Sequence, residues 1–154
     1  MGLLRKGIGI FLLNSKKQLW IGKRIDVKND YWQMPQGGID NNESPLQAMK
    51  REMKEETGIT ENFNVITESK EWLSYELPKD LVNVVWGGKY LGQKQKWFAC
   101  NFFGKDDEIK LDKHKPEFMD WKWIKPEHVL DLVVPFKRKM YEEILRNFES
   151  LYQE

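Results

Sequence analysis

Apolar runs along the chain are cut at short intervals by polar and glycine-rich stretches. The first run, Ile8-Gly9-Ile10-Phe11-Leu12-Leu13, predicts a strand, Asn14-Ser15-Lys16-Lys17 a turn, and Gln18 to Arg24 a returning strand. Trp32 to Gly38 ends in Pro35-Gln36-Gly37-Gly38, which predicts a loop, and a helix follows it. Asn64 to Tyr75 has an extended pattern, and Trp86-Gly87-Gly88 marks another loop. Lys96 to Phe103 alternates like a half-buried strand, Phe118 to Ile124 is a further strand, and Pro126 to Leu132 is a short helix. Phe136, Met140, Ile144 and Phe148 recur on one helical face, so Phe136 to Tyr152 is predicted to be a helix packed on the sheet. Strands mixed irregularly with two or three helices predict an α/β sandwich, not a doubly wound sheet. No glycine-rich dinucleotide fingerprint follows a strand, which argues against a nicotinamide enzyme.

The helix after the glycine pair has the clearest ends. Ser44 can cap it, Pro45 suits its first position, Gln47 completes a capping box, and Gly58 stops it, so it spans Pro45 to Thr57. At roughly 100° per residue, Leu46, Met49 and Met53 form an apolar stripe. Glu52 and Glu56 border that stripe and Glu55 lies just beyond Glu52, so the three share an arc of about 100°. Arg51 can pair with Glu55 one turn on, while Lys50 and Lys54 point to solvent. Three carboxylates that close repel one another beside a buried edge, and a hard divalent cation would relieve the repulsion. A solvated acidic helix face is the alternative that these residues alone leave open.

Composition narrows the chemistry. The chain has 154 residues, the length of one domain covering 1–154, and is 40% hydrophobic and 32% charged. Its seven Trp are expected mostly in the core, and a net charge of +1 means that any polyanion must be met by a local patch. Cys100 is the one cysteine, which suits a reducing compartment. With two His and one Cys there is no zinc site of the usual spacing, so a catalytic metal should sit among oxygens. Met1 to Leu13 has neither a long apolar segment nor a small-residue cleavage site, so a cytoplasmic protein with no membrane span is expected.

The segment Gly37, five residues, Glu43, seven residues, then Arg51-Glu52-Met53-Lys54-Glu55-Glu56-Thr57-Gly58-Ile59 resembles the signature of the Nudix family. Every fixed polar or glycine position is present; Met53 stands where Leu, Ile or Val is commoner. Trp32 to Gly38, Gly92-Gln93-Lys94-Gln95-Lys96-Trp97-Phe98, Pro116-Glu117-Phe118 and Val134-Pro135-Phe136-Lys137-Arg138 look like the subgroup of bacterial RNA pyrophosphohydrolases and dinucleoside polyphosphate hydrolases.

That resemblance implies an α/β/α sandwich with a mixed sheet and the box as a loop-helix-loop. It implies Mg²⁺, with Mn²⁺ as a substitute and more than one ion, held by Glu52, Glu55, Glu56, Glu117 and the Gly37 carbonyl. Arg51 would orient a helix glutamate. Gly37 and Gly38 would let the backbone turn and approach closely, and Glu43 would hold the loop. Lys94 and Lys96, sharing one strand face, would clamp phosphate. Arg5 and Arg24 would reach phosphate or a base, and Tyr75 phosphate or sugar. Phe136, beside Lys137, would stack on a base, although it equally fits the core stripe of its helix. Ser74 replaces an arginine common in some bacterial relatives, so the resemblance does not carry over the phosphate contact of that arginine.

The implied reaction is metal-assisted attack of water on a phosphorus, with Glu52 the first choice of base and Glu117 the second. The substrate would be a nucleotide or an RNA 5′ end, with no DNA and no membrane involved. The rivals are another Nudix substrate, such as a damaged nucleotide or nucleotide sugar, and a Nudix-fold binding module without catalysis. The second should lack a box carboxylate, and this chain keeps them all. A general RNA-binding domain fits poorly with near-zero net charge and no RNA-recognition aromatic motif.

Overall fold

The computed structural model describes residues 3–25 and 30–153. Its strands are β1 (Leu3–Leu13), β2 (Leu19–Arg24), β3 (Trp32–Gln33), β4 (Gln36–Gly38), β5 (Phe63–Glu68), β6 (Leu73–Glu76), β7 (Tyr90–Phe102) and β8 (Phe118–Ile124). The helices are α1 (Pro45–Thr57), α2 (Lys79–Val82), α3 (Arg138–Asn147) and α4 (Glu149–Tyr152). All eight strands join one mixed sheet in the order β3-β2-β1-β7-β5, with β4 also on β1, β6 on β7 and β8 on β2. β1 and β7 pair in parallel at the centre, and the remaining pairs are antiparallel.

From Gly7 to Leu13 β1 is buried on both faces, which is why that part of its sequence is a continuous apolar run and not an alternation. One face packs Ile8, Ile10, Phe98 and Cys100 under Met49 and Met53 of α1. The other packs Phe11, Leu13, Trp97 and Ala99 under Met140, Tyr141 and Ile144 of α3. The three-layer α/β/α expectation is met. None of the described helices is long and apolar enough to cross a membrane.

Several expectations change. Pro35 to Gly38 is not a loop: Gln36–Gly38 forms β4, paired with Gly7, Ile8 and Gly9 of β1. The extended stretch after Asn64 is two strands, β5 and β6, separated where the Ser69 hydroxyl accepts the Trp97 N–H at 3.0 Å. β7 starts six residues earlier than the alternation from Lys96 suggested. The final helix is broken. Pro135–Lys137 is a 3-10 turn, and Phe148 leaves the helix at φ −112°, ψ 15° as its ring packs 5.2 Å from that of Phe11. Leu46 departs from the apolar stripe and is 42% exposed. Of the seven tryptophans only Trp20 and Trp97 are fully buried.

Candidate active site

α1 forms where its local signals put it. Ser44 Oγ accepts the Gln47 N–H at 3.1 Å, Gln47 Oε1 accepts the Ser44 N–H at 2.8 Å, and Gly58 closes the helix at φ 78°. Glu55 and Glu56 then fall in the last turn, where the helix dipole disfavours negative charge. A sequence built only for stability would not place them there.

Arg51 is the organiser. Its Nε donates to Glu43 at 2.8 Å, its Nη2 to Glu43 at 3.0 Å and the Gly38 carbonyl at 2.8 Å, and its Nη1 to Glu52 at 2.6 Å and Glu55 at 3.2 Å. One guanidinium thus ties the loop before α1 to two helix carboxylates. Hydrogen bonds from Arg51 and the Asp40 N–H hold the Glu43 carboxyl down at about 2.

Glu52, Glu56 and Glu117 bring carboxylate oxygens within 4.8 Å of one another. Glu52 and Glu56 are buried, while Glu117 sits exposed just before β8, its carbonyl held at 2.9 Å by the Ile25 N–H. Burial pushes the Glu52 carboxyl up to about 7 against the pull of Arg51. Burial, then the neighbouring Glu52 and Glu117, push Glu56 well above the usual carboxylate range. Glu56 Oε2 accepts the Gln36 N–H at 3.0 Å, but its buried Oε1 has no hydrogen-bond partner. An orphaned oxygen among repelling carboxylates fits a hard divalent cation, whose preferred ligands are oxygens. Glu55 is turned aside from this trio, toward Arg51 and toward His114 Nε2 at 3.5 Å.

The glycine pair is needed for space, not for a turn. Both residues are extended, and neither has positive φ. A Cβ on Gly37 would collide with the Glu52 carboxylate, and one on Gly38 with the Arg5 guanidinium.

Beside the carboxylates opens a cavity of about 500 Å³ lined by Arg24, Trp32, Gln33, Gln36, Tyr75, Trp86, Phe136 and Lys137, among others. Lys137 is 5% exposed, with Nζ 5.0 Å from the Tyr75 ring centroid. Burial, then the Arg24 charge, push its ammonium down to about 7, opposed by Glu56. No carboxylate among the described residues lies within 4 Å of it, so a phosphate would be its first close counter-charge. Phe136 is half-buried with its ring 5.8 Å from that of Tyr75, so it is a wall of the cavity that also touches the core. Arg5 lies 5.3 Å from the Trp86 ring centroid at the cavity's rim.

Lys94 and Lys96 do not join this group. They point to the opposite face of β7, the side of α1, and the cavity side carries Gln93 and Gln95 instead. There Tyr75 Oη donates to Gln93 at 3.2 Å, Gln95 Nε2 to Gln93 at 2.8 Å, and Trp97 Nε1 to Gln95 at 2.9 Å. The phosphate clamp expected of Lys94 and Lys96 is therefore not part of this cavity. Gln33, Gln36, Gln93, Trp86 and His114 are the site neighbours that sequence reasoning missed. The landmark containing Gln93 was in hand, but a run of alternating Gln and Lys does not say which face is inside.

Chelated protein should lose stability as pH rises from about 5 to 7. Glu52 binds its proton more tightly folded than unfolded, from 4.5 to about 7, and Glu56 shifts the same way. The folded state then holds more protons in that window, so unfolding free energy falls with pH. For Glu52 this reaches on the order of 3 kcal/mol at most. Lys137 has the opposite sense, lowered from 10.5 to about 7, so stability recovers above neutrality. Denaturant melts in EDTA across pH 5–9 should show this minimum; a flat or rising curve from 5 to 7 would contradict it.

The NUDIX domain family model matches residues 3–144. An RNA pyrophosphohydrolase from Pelagibacter ubique is 48% identical over 148 residues, covering 96% of this chain and 93% of that protein. One from Rickettsia conorii is 44% identical over 149 residues, covering 97% and 92%. Among solved structures, the Ap4A hydrolase binary complex of C. elegans superposes with a TM-score of 0.69 at 21% identity, over 96% of this chain and 97% of that one. The E. coli dihydroneopterin triphosphate pyrophosphohydrolase gives 0.72 at 21% identity, over 94% and 99%. At such identities the two structures speak for the fold alone. The family match and the near-full-length relatives, together with the Arg51-centred box, show that this chain belongs to the NUDIX domain family.

Proposed function

We propose that this chain is a single Nudix domain that hydrolyses a phosphoric anhydride bond of 5′-triphosphorylated RNA, releasing pyrophosphate. Dinucleoside polyphosphates such as diadenosine tetraphosphate are second substrates in this reading. The observation that carries it is the Glu52–Glu56–Glu117 cluster opening beside an aromatic cavity that holds the buried Lys137, whose Nζ donates to Gln33 Oε1 at 3.5 Å and has no carboxylate within 4 Å among the described residues. Relatives 44–48% identical and named RNA pyrophosphohydrolase favour RNA over other anhydrides.

Glu52, Glu56 and Glu117 would hold Mg²⁺, or Mn²⁺ in its place, with Glu55 and the Gly37 carbonyl available to a further ion. When bound, the metal supplies charge neutralisation at the phosphoryl oxygens and a more acidic water. The chain's own groups do the rest. Arg51 fixes Glu52 in place. Lys137 and Arg24 receive phosphate oxygens, and Arg5 approaches from the rim. Phe136, Tyr75 and Trp86 offer ring faces to a base and keep water out of the cavity. Glu52, the first choice of base, accepts a proton from the attacking water, with Glu117 the second.

The test is release of pyrophosphate from a triphosphorylated oligonucleotide, run beside diadenosine tetraphosphate on one preparation. Turnover should vanish in EDTA, return with Mg²⁺ or Mn²⁺, and show the higher kcat/KM on RNA. Undiminished turnover after thorough chelation would contradict the metal assignment, and inertness toward both substrates would overturn the proposal.

A further inference from the structure

The lysines that the cavity leaves out form a surface of their own. Lys6 of β1 pairs with Lys94 of β7, and Lys96 follows two residues on along the same face. No carboxylate among the described residues lies within 4 Å of any of the three, and Lys96 Nζ has only the Lys70 carbonyl at 3.5 Å. Like charges directly opposite on paired strands destabilise a sheet, so the arrangement calls for a counter-charge from outside.

The stripe runs into a groove of about 660 Å³ lined by Lys96, Lys50, Leu46, Val65, Trp72 and Phe98. Trp72 is 40% exposed there, and the exposed Leu46 lines the same groove. Among the described residues, Glu68 is the one carboxylate lining it. At the other end, the Lys6 carbonyl accepts the Ile39 N–H at 3.2 Å, so the stripe begins one strand away from Gly37 and Gly38. In a chain of net charge +1, this is a local concentration of cations leading away from the carboxylate cluster.

We infer that the Lys6–Lys94–Lys96 stripe and the Trp72 groove carry the downstream part of a single-stranded RNA substrate. This rests on the RNA reading proposed above. Cations tracking a backbone toward an exposed aromatic ring are what sequence-tolerant single-strand binding requires. Lysine suits that task, as a point charge on a flexible stem that reads phosphate and not sequence.

The test compares a triphosphorylated dinucleotide with a triphosphorylated RNA of about 12 nucleotides, a length within the usual range of single-strand sites. Wild type should prefer the longer RNA. The Lys6→Glu/Lys96→Glu variant should lose about 10-fold or more in kcat/KM on it, with a log–log salt dependence shallower by about 1 to 1.5. Trp72→Ala should lose about 5-fold or more on the longer RNA, the scale of one base–aromatic stack. Both variants should turn over the dinucleotide as wild type does, which also certifies their fold.

Equal losses on both lengths, or unchanged kinetics, would overturn the inference and leave the groove to a protein partner. Fluorescence anisotropy with a 5′-monophosphorylated RNA of the same length separates this from the proposed reaction. Binding that the variants lose supports the surface even if no RNA is cleaved. Absence of binding to wild type at low salt overturns it whatever the rates.

Discussion

Glu56→Gln lowers kcat by on the order of 10³-fold or more and leaves the chelated protein at least as stable as wild type. The two halves of this result have one cause. Glu56 is 2% exposed, and its carboxyl is pushed well above the usual range by burial and by Glu52 and Glu117. Its Oε2 accepts the Gln36 N–H at 3.0 Å, which the carbonyl oxygen of a glutamine can still accept. The amide also supplies N–H groups to the side where Oε1 has no partner and where Glu52 and Glu117 lie. Without metal, a buried carboxyl that is costly to ionise is exchanged for a neutral donor. With metal, one anionic ligand is gone. The measurements are kcat at saturating RNA and Mg²⁺, and denaturant melts in EDTA near pH 7, where the wild-type minimum should become shallower. A rate near wild type would contradict the assignment of Glu56 to the metal, and a globally unfolded variant would make it a folding residue.

How much of this was legible in the sequence depends on how local each signal is. α1 was, to the residue, because Ser44, Pro45, Gln47 and Gly58 act on the backbone within one turn of themselves. β8 was, because its ends are set by local pattern. β4 was not. Gln36–Gly38 looks like a loop until β1 lies beside it and the Glu52 and Arg5 side chains fill the places a Cβ would take.

The helical wheel gathered Glu52, Glu55 and Glu56 into one arc. It could not show that Arg51 and His114 draw Glu55 aside while the loop end delivers Glu117. Period-two alternation showed that Lys94 and Lys96 share a face, but only the register against β1 tells which face. That register sets Gln93 beside Arg5 and Lys94 beside Lys6. The buried glutamines run against composition altogether. Tyr75, Gln93, Gln95 and Trp97 are joined there in a chain of hydrogen bonds that no local window contains, which leaves only the Gln93 Nε2 of these four side chains without a partner.

Adjacent glycines should give unlike phenotypes. Gly37→Ala is expected to lower kcat/KM by about 10²-fold or more, and Gly38→Ala by less than about 10-fold. Neither position needs a left-handed backbone, so alanine brings no conformational strain and the difference is one of neighbours. At Gly37 the new methyl meets the Glu52 carboxylate, which is buried and held by Arg51 at 2.6 Å. Glu52 cannot swing away without releasing Arg51, and Arg51 in turn holds Glu43, Glu55 and the Gly38 carbonyl. A displacement of about 1 Å at a group that must meet metal and water is enough for a loss of that size. At Gly38 the methyl meets the guanidinium end of Arg5, a flexible half-buried side chain that can withdraw toward solvent at the cost of its contact with Trp86. That variant should raise KM and spare kcat, since it disturbs the cavity rim and not the carboxylates. Titrating Mn²⁺ into each variant gives a second readout, weakened for Gly37→Ala and unchanged for Gly38→Ala. Equal losses in the two variants, or intact Mn²⁺ affinity in Gly37→Ala, would show that the strand can retreat from α1 and that the glycine is not what positions Glu52.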